Sequence, residues 1–575
     1  MLKGGGPRCP LFFWDTLSLS VMTIARRAAG LLSILVAALI ILPHLAGGLP
    51  SPIKFELLPI AFRLENGEAT ARHVPATMAG GVAVFDYNKD GRPDIFFTNG
   101  ANLETLRKDS PKYRNRLFRN DGGTFTDVTD KAGLSGIGFD GGVAAGDYDN
   151  DGYPDLFVAG VHHNTLYHNN RDGTFTDVTA KAGIQNAPDP QFGPMWAITG
   201  VWVDVNNDGL LDLFVVNYLQ WDFATEPLCE YKGVPDYCAP RSYKGLPNQL
   251  YLNKGNGTFE DVSEKWGIRA NVGKGMGAAM ADYDLDGRPD LFVTNDASYN
   301  FLFHNTGTEF QEVAFPAGVA LAEDGSFISG MGADFRDFDN DGYPDIAFVA
   351  LEKQTFPLFQ NMAGRQFREI TSASGMRTAS MSKAGFGPGL YDFDNDGWKD
   401  LFVTRGDVLS RAMPGTVAHQ HNTVFRNLGA GGRWQALTEE AGLDAAPAGR
   451  HRGLAFGDLD GDGRVDVVTS QIAGPAEIWM NRSPASGHWL DIALEGTKSN
   501  REGIGARIKV KGKSGTQYNH MTTSVGYASS SDGPVHFGLG ADEKADSIEI
   551  YWPSGIVQTL KDVRADRVVV VKEPQ

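Results

Sequence analysis

Asp147-Tyr-Asp149-Asn-Asp151-Gly152-Tyr-Pro-Asp155, followed by Leu156-Phe-Val158, is the stretch on which the fold turns. Oxygen side chains stand at positions 1, 3, 5 and 9, with a glycine at position 6. A hard cation takes about six to eight oxygens, and the glycine permits the sharp turn that brings the position 7 carbonyl inward. An EF-hand would close with a bidentate Glu at position 12 and have helices on both sides. Position 12 here is Val158, and the flanks, Gly142-Val-Ala-Ala-Gly146 and Leu156-Phe-Val158, read as strand. The pattern is a calcium-clipped turn between two β-strands, closed by the ninth-position Asp.

The loop occurs seven times. Its oxygen positions are Asp86, Asn88, Asp90 and Asp94; Asp147, Asp149, Asp151 and Asp155; Asp204, Asn206, Asp208 and Asp212; Asp282, Asp284, Asp286 and Asp290. The remaining copies are Asp337, Asp339, Asp341 and Asp345; Asp392, Asp394, Asp396 and Asp400; Asp458, Asp460, Asp462 and Asp466. A single copy could be a polar turn without metal. Twenty-six Asp and two Asn in 28 positions cannot be explained that way, because the clustered carboxylates repel one another without cations. About seven structural Ca2+ ions are therefore expected.

The loops begin 61, 57, 78, 55, 55 and 66 residues apart, a repeat of the size used by propellers and solenoids. Between them recur Asn115-Arg-Leu-Phe-Arg-Asn120 and its relatives, then Thr124-Phe-Thr-Asp-Val-Thr129 and its relatives. Each unit thus holds about four short strands, one propeller blade. The seventh unit lacks its last strand. Ile53-Lys-Phe-Glu-Leu-Leu-Pro-Ile60 has the right pattern to close the ring, and Trp489-Leu-Asp-Ile-Ala-Leu494 is its rival. From about Gly487 alternating segments such as Ala506-Arg-Ile-Lys-Val-Lys511 and Arg567-Val-Val-Val-Val-Lys572 replace the acidic loops. The expected fold is all-β: a seven-bladed β-propeller over 49–485, with an insertion at 218–249, then a small antiparallel β-sandwich or barrel over 486–575.

The loops and strand pattern resemble FG-GAP/VCBS repeats, the calcium-binding blades of integrin α-chain propellers. The chain end, with Ser499-Asn-Arg-Glu-Gly-Ile-Gly505, Gly526-Tyr-Ala-Ser-Ser-Ser531, His536-Phe-Gly-Leu-Gly540 and Trp552-Pro-Ser-Gly555, resembles the ASPIC/UnbV domain. The combination is similar to the cartilage-acidic-protein-like family. The resemblance covers roughly residues 53–572 and implies calcium cages and a propeller, with little mechanism attached.

The net charge of −18 would fall to about −4 with seven divalent cations bound, so internal metal sites explain most of the acidity. Nucleic acid is not an expected partner. Arg26-Arg27, an apolar run from Ala28 to Leu42 and small residues at Ala46-Gly47-Gly48 suggest export, with residues 1–48 a signal peptide or an uncleaved membrane anchor. Met22 is a possible start. The protein is expected to be secreted, periplasmic or at the cell surface. There Cys229 and Cys238 are expected to form a disulfide in a loop, Trp221 to Leu246, projecting from one rim, whereas Cys9 lies in or before the export segment.

No catalytic constellation stands out. His162-His163 and His419-Gln-His421 fall in equivalent loops and read as solvated, with a metal or substrate site as the alternative. His168 and His304 share a repeat slot with Arg119 and Arg426, which suggests a structural polar position. Arg501, Arg507, His536 and Trp552 lie in the C-terminal motifs, as packing residues or as a ligand site. The leading expectation is a binding or adhesion module for an extracellular or envelope protein or glycan. The alternatives are an envelope polysaccharide lyase or hydrolase, with its site on the face opposite the calcium loops, and an assembly scaffold. Convergent Arg, His and carboxylate at the channel mouth would favour the enzyme.

Overall fold

The computed structural model describes residues 52–68, 72–408, 417–484 and 487–575. The expected export segment, with Cys9, lies outside them. Pro52 to Gln575 forms one compact unit.

Blade 2 shows the repeating plan. Strands Asp140–Gly146, Asp155–Gly160, Asn164–Asn169 and Phe175–Asp177 pair in that order, all antiparallel. The acidic loop is the turn between the first two, with Gly146 facing Asp155. Blades 1, 3, 4, 5 and 6 repeat this plan with inner strands Val82–Phe85, Ala197–Val203, Gly275–Ala281, Ala333–Arg336 and Gly385–Tyr391. Inner strands crowd toward the axis, which is why several are rich in glycine and alanine. A Cβ on Gly142 would sit 2.1 Å from the carbonyl oxygen of Ile198 in the next blade.

Blade 7 takes three strands, His451–Gly457, Asp466–Gln471 and Pro475–Asn481, from the end of the propeller sequence. Its fourth, Phe55–Arg63, comes from the beginning, with Phe55 facing Asn481 and Leu58 facing Ile478. The rival segment instead forms part of His488–Glu495 in the C-terminal domain. Phe55 is buried, with its ring against Phe393 and Phe402 at 5.5 and 5.6 Å. Closing the ring this way covers the edge of Pro475–Asn481 that the chain's last blade would otherwise leave unpaired.

The C-terminal domain is a two-sheet sandwich. One sheet orders Thr516–His520, Arg507–Lys511, Lys544–Tyr551 and Val557–Arg564, all antiparallel. The other orders Val535–Gly540, His488–Glu495 and Arg567–Lys572. Its last pair is parallel, a departure from the antiparallel expectation. The final strand leaves the edge of one sheet and crosses to the other, so it meets His488–Glu495 running the same way.

Residues 521–534 of the sandwich enter the propeller channel. Each inner strand has one edge with no strand beside it, and buried backbone groups there need partners. Ser530 N donates to Val82 O at 2.9 Å, and Val84 N to Ser530 O at 3.0 Å. Val143 N donates to Ala528 O, Ala333 N to Gly526 O, and Asp532 N to Phe456 O. Tyr527 reaches deepest, with its hydroxyl on Met78 O at 2.9 Å and its ring edge-on to Phe386.

The insertion in blade 3 meets the expectation only in part. The Cys229–Cys238 disulfide is formed. The two ends of the loop fold back over the far end of the channel, whereas its hairpin, Cys229–Tyr231 and Val234–Asp236, stays largely exposed, with Leu228 80% exposed. Trp221, Tyr237, Tyr243 and Leu246 are buried. The Tyr237 hydroxyl donates to Glu68, and Glu226 accepts from Val74 N and the Tyr243 hydroxyl, both at 2.8 Å. An insertion with this many aromatic side chains is stabilised by burial, so it folds back onto residues 64–79.

Replacing Phe55 by Ala is expected to destabilise the protein by about 3–5 kcal/mol, seen as a lower urea midpoint, because it empties a ring site between blades 6 and 7.

Candidate metal centres

The seven acidic loops share one geometry. The position 6 amide donates to the Oδ2 of the position 1 Asp at 2.7–3.0 Å in every copy, from Gly91 on Asp86 to Gly463 on Asp458. Position 6 is always glycine with φ between +79° and +99°, and position 4 is also left-handed, with φ from +54° to +75°. Left-handed backbone favours Gly and Asn, and Asn150, Asn207, Asn340, Asn395 and Gly461 fill five of the seven position 4 sites.

The ninth-position Asp is 0–1% exposed in all seven loops. One oxygen accepts the amide of position 2, such as Tyr148 N on Asp155 at 3.3 Å. The other accepts the amide of the asparagine that ends the third strand, at 2.6–2.8 Å: Asn120, Asn169, Asn253, Asn305, Asn361, Asn427 and Asn481. The side-chain amide of that asparagine then reaches the preceding blade. Asn169 Nδ2 donates to Tyr87 O, Asn253 Nδ2 to Tyr148 O, and Asn120 Nδ2, closing the circle, to Leu459 O of blade 7. The sequence displays these asparagines as the recurrent end of a strand. Their role as clamps between blades shows only in three dimensions.

Several features of the loops fit a cation. In three of them the carboxylates of Asp147, Asp149 and Asp151, of Asp282, Asp284 and Asp286, and of Asp337, Asp339 and Asp345 bring oxygens within 4.8 Å of one another. Asp151 Oδ2 and Asp394 Oδ1 are buried without a hydrogen-bond partner, although Arg171 Nε stands 3.2 Å from Asp151 Oδ2 and Arg426 pairs with the other oxygen of Asp394. Burial, with like charges beside it, pushes the carboxyls of Asp94 and Asp147 up to about 8 and those of Asp155, Asp204, Asp290 and Asp337 up to about 7. Asp212, Asp345, Asp400 and Asp466 lie well above the usual range for the same reason. Oxygen-only donor sets of this kind suit Ca2+. A bound ion would supply the counter-charge that these partial pairings leave short.

The C-terminal sandwich covers this same face. Asn150 Oδ1 accepts from Arg501 N at 2.7 Å, and Glu502 accepts from Asp147 N at 2.9 Å. Arg507 Nε stands 3.4 Å from Asp282 and its guanidinium lies over Tyr551. His536 is buried between Asp491, 2.7 Å from Nδ1, and Asn395, 2.8 Å from Nε2. Lys399 Nζ bridges Asp337 O and Tyr518 O. His520 donates to Met280 O, and burial pushes its imidazole down to about 3. Arg501, Arg507 and His536 are thus docking residues, while Trp552 is packed in the sandwich and bonded to Gln558.

The histidine expectations fare differently. His162 and His163 are not simply solvated: His162 Nε2 contacts Trp221 O at 2.8 Å, and His163 Nε2 contacts buried Asp140 at 2.8 Å. They tie the insertion and blade 2 together. His421 is half-buried with Nδ1 unpartnered among the described residues, whereas His419 is exposed. His168 and His304, whose slot suggests plain structural polarity, stand beside the acidic loops of blades 2 and 4.

A closed ring of blades, each turned on an acidic loop, with a sandwich seated on the loop face, defines a β-propeller of acidic-loop repeats. Residues 86–158, 147–215, 233–293, 282–348, 337–403 and 392–469 match the FG-GAP-like repeat, and residues 496–575 match ASPIC and UnbV. The chain belongs to the FG-GAP-like repeat family and carries a C-terminal ASPIC and UnbV domain. It is similar to cartilage acidic protein 1 of Mus musculus, 27% identical over 385 residues, 65% of this chain and 54% of that protein. The Homo sapiens protein is 27% identical over 367 residues, 61% and 50% of the two. The chain spans about half the length of these curated relatives. An Agrocybe aegerita lectin with specific recognition of non-reducing terminal N-acetylglucosamine superposes with a TM-score of 0.40 at 15% identity, over 69% of this chain and 87% of that one.

The raised carboxyls give a pH dependence with a definite sign. A carboxyl whose folded pKa is raised contributes stability below its unfolded value near 4, and that contribution is lost as pH rises through the folded value. In chelator, the melting temperature should fall between about pH 5.5 and pH 8.5, the span that brackets folded values of about 7 to 8. In excess calcium the fall should vanish, because the ion compensates the charges. Calorimetry at both pH values, with and without calcium, checks this.

Proposed function

We propose that this protein is an exported, calcium-stabilised β-propeller that binds an extracellular or envelope protein or glycan through the face opposite its acidic loops. The observation that carries this reading is the seat of the sandwich. The chain's own C-terminal domain occupies the loop face and the channel, so the loops serve structure and the far face is left for a ligand. Supporting this, a cleft of about 960 Å³ opens there beside the disulfide loop. Tyr113 and Phe223 line it with Arg72, Lys112 and Glu68. Aromatic and charged side chains together suit a polar ligand with apolar faces. The Cys229–Cys238 disulfide supports an oxidising compartment. Among the described residues no helix is long and apolar enough to cross a membrane.

A second reading, a polysaccharide-active enzyme, has one observation in its favour. Arg450, Arg452, His451, Glu68 and Glu477 gather near the far mouth of the channel, the convergence such a site needs. Yet Arg452 is 0%, His451 1% and Glu477 3% exposed. Glu477 is held by His451, Gln471 and Trp479, and Arg452 lies over Phe386. Groups so enclosed cannot reach a polymer, which favours binding.

The test is an array of glycans and extracellular proteins probed with the labelled full chain in about 1 mM calcium. Replacing Tyr113 by Ala together with Lys112 by Glu should lower binding by about tenfold or more with the melting temperature kept. Replacing exposed Val570 of the sandwich by Asp should leave binding intact. The reverse pattern would move the ligand site to the C-terminal domain and contradict the proposal.

A further inference from the structure

The residue just before the clamp asparagine differs from blade to blade: Arg119, His168, Leu252, His304, Gln360, Arg426 and Met480. It sits on the third strand, beside the acidic loop of its own blade. In blade 2, His168 Nδ1 lies 3.2 Å from Asp155 Oδ1 and 3.4 Å from Asp149 Oδ2. In blade 4, His304 Nδ1 lies 3.1 Å from Asp290 Oδ1 and 3.8 Å from Asp284 Oδ2. The same position 3 and position 9 carboxylates are met in both blades, by the same ring nitrogen. An aromatic ring holds each imidazole: Tyr148 edge-on to His168 at 6.3 Å and Tyr283 edge-on to His304 at 5.8 Å. His168 Nδ1 is buried and lacks a hydrogen bond of good geometry, and so does Asp151 Oδ2 of the same loop.

In each blade the nitrogen and the two carboxylates place ligand atoms within 4.8 Å of one another. Ligands facing each other across an ion with bonds of about 2.1 Å stand about 4.2 Å apart. The Nδ1-to-carboxylate separations of 3.1–3.8 Å fall inside that span, and the 4.8 Å limit on the whole group closes with a small side-chain shift, so one ion can touch all three groups. The other blades offer no such nitrogen. Leu252 and Met480 have none, Gln360 gives an amide to Asp339, and Arg426 puts a guanidinium on Asp394 and Asp396. Arg119 turns to Asp121. Calcium prefers oxygen, whereas imidazole suits first-row transition metals and carboxylate suits manganese. A set of several carboxylates with one imidazole lies between the two classes.

We propose that blades 2 and 4 carry mixed oxygen-and-nitrogen sites for a first-row divalent ion of the Mn2+ type, with His168 and His304 as Nδ1 ligands, while the remaining loops are oxygen-only calcium cages. The inference rests on the reading that the acidic loops hold cations. It makes the chain a two-metal-class protein, with selectivity written in one slot of the repeat. The competing arrangement is an imidazolium that neutralises the carboxylates in place of a metal.

The full chain is stripped of metal and dialysed against millimolar calcium with micromolar Mn2+. Bound metals are then counted by mass spectrometry, and the manganese is examined by pulsed electron paramagnetic resonance for coupling to 14N. The expected result is about two Mn2+ retained per chain with nitrogen coupling, beside calcium in the other loops. The double variant His168→Gln, His304→Gln should lose the coupling and bind Mn2+ about tenfold or more weakly. Should that variant fold poorly, His304→Gln alone should halve the coupled manganese. In the otherwise native chain, Leu252→His should add a third coupled ion. Calcium in every loop with no nitrogen-coupled manganese would overturn the proposal and leave the cages standing. Absence of both ions would overturn the cage reading itself.

Discussion

The ring is held together at one kind of joint: the ninth-position Asp of each acidic loop, bonded to an asparagine amide whose side chain crosses to the preceding blade. Each such Asp is buried, and each clamp asparagine is nearly so. A buried polar group left without its partner costs about 1–3 kcal/mol, so seven joints in a closed ring bind the blades into one cooperative unit. The same Asp also belongs to the cage that crowds carboxylates against one another. Its bonds to amides and the repulsion from its neighbours oppose each other, and a bound cation would settle the balance. The hydrophobic faces between blades stabilise the propeller in bulk, but the joint fixes which blade meets which and at what angle.

The second consequence of the loops is on the outside of the ring. Their position 4 residues turn outward in left-handed conformation, and Asn150 and Asn395 present oxygens that accept hydrogen bonds from Arg501 N and His536 Nε2 of the sandwich. The loop face is thus a docking platform. From it residues 521–534 descend along the inner strands and supply the hydrogen bonds that a channel of water would otherwise have to supply. The far end is closed by the disulfide-bridged insertion. A propeller whose channel is filled from one end and capped at the other has little room for chemistry on its axis. The far rim is one of its open surfaces, and aromatic and charged side chains border the cleft there.

Much of this was legible in the chain. The spacing of carboxylates and glycine in 147–155, repeated seven times, gives strand, turn and strand without further help, and the missing last strand of blade 7 points to 53–60. What resisted reading was everything that joins distant repeats. Asn169 looks like a strand end, because its contact with Tyr87 O lies 82 residues away. His168 and His304 look interchangeable with Arg119, because a slot in a repeat does not say whether the side chain turns toward its loop or away from it. The insertion at 218–249 reads as a projecting loop from its length, but Trp221, Tyr237 and Tyr243 are apolar enough to bring its ends back onto the core, leaving only the hairpin exposed. The sandwich reads as an appended domain, and only the Gly526-Tyr-Ala-Ser-Ser-Ser531 segment, small residues around one tyrosine, matches the width of a propeller channel.

Hydrogen exchange on the full chain tests the joint most directly, compared in calcium and in chelator at pH 8. The backbone amides of Asn120, Asn169, Asn253, Asn305, Asn361, Asn427 and Asn481 donate to the ninth-position carboxylates, so they report on the joints themselves. If cations hold the cages, all seven should lose protection together on chelation, and residues 521–534 should follow as the platform loosens. Unchanged protection at these amides, with or without calcium, would contradict the claim that metal-filled cages hold the ring.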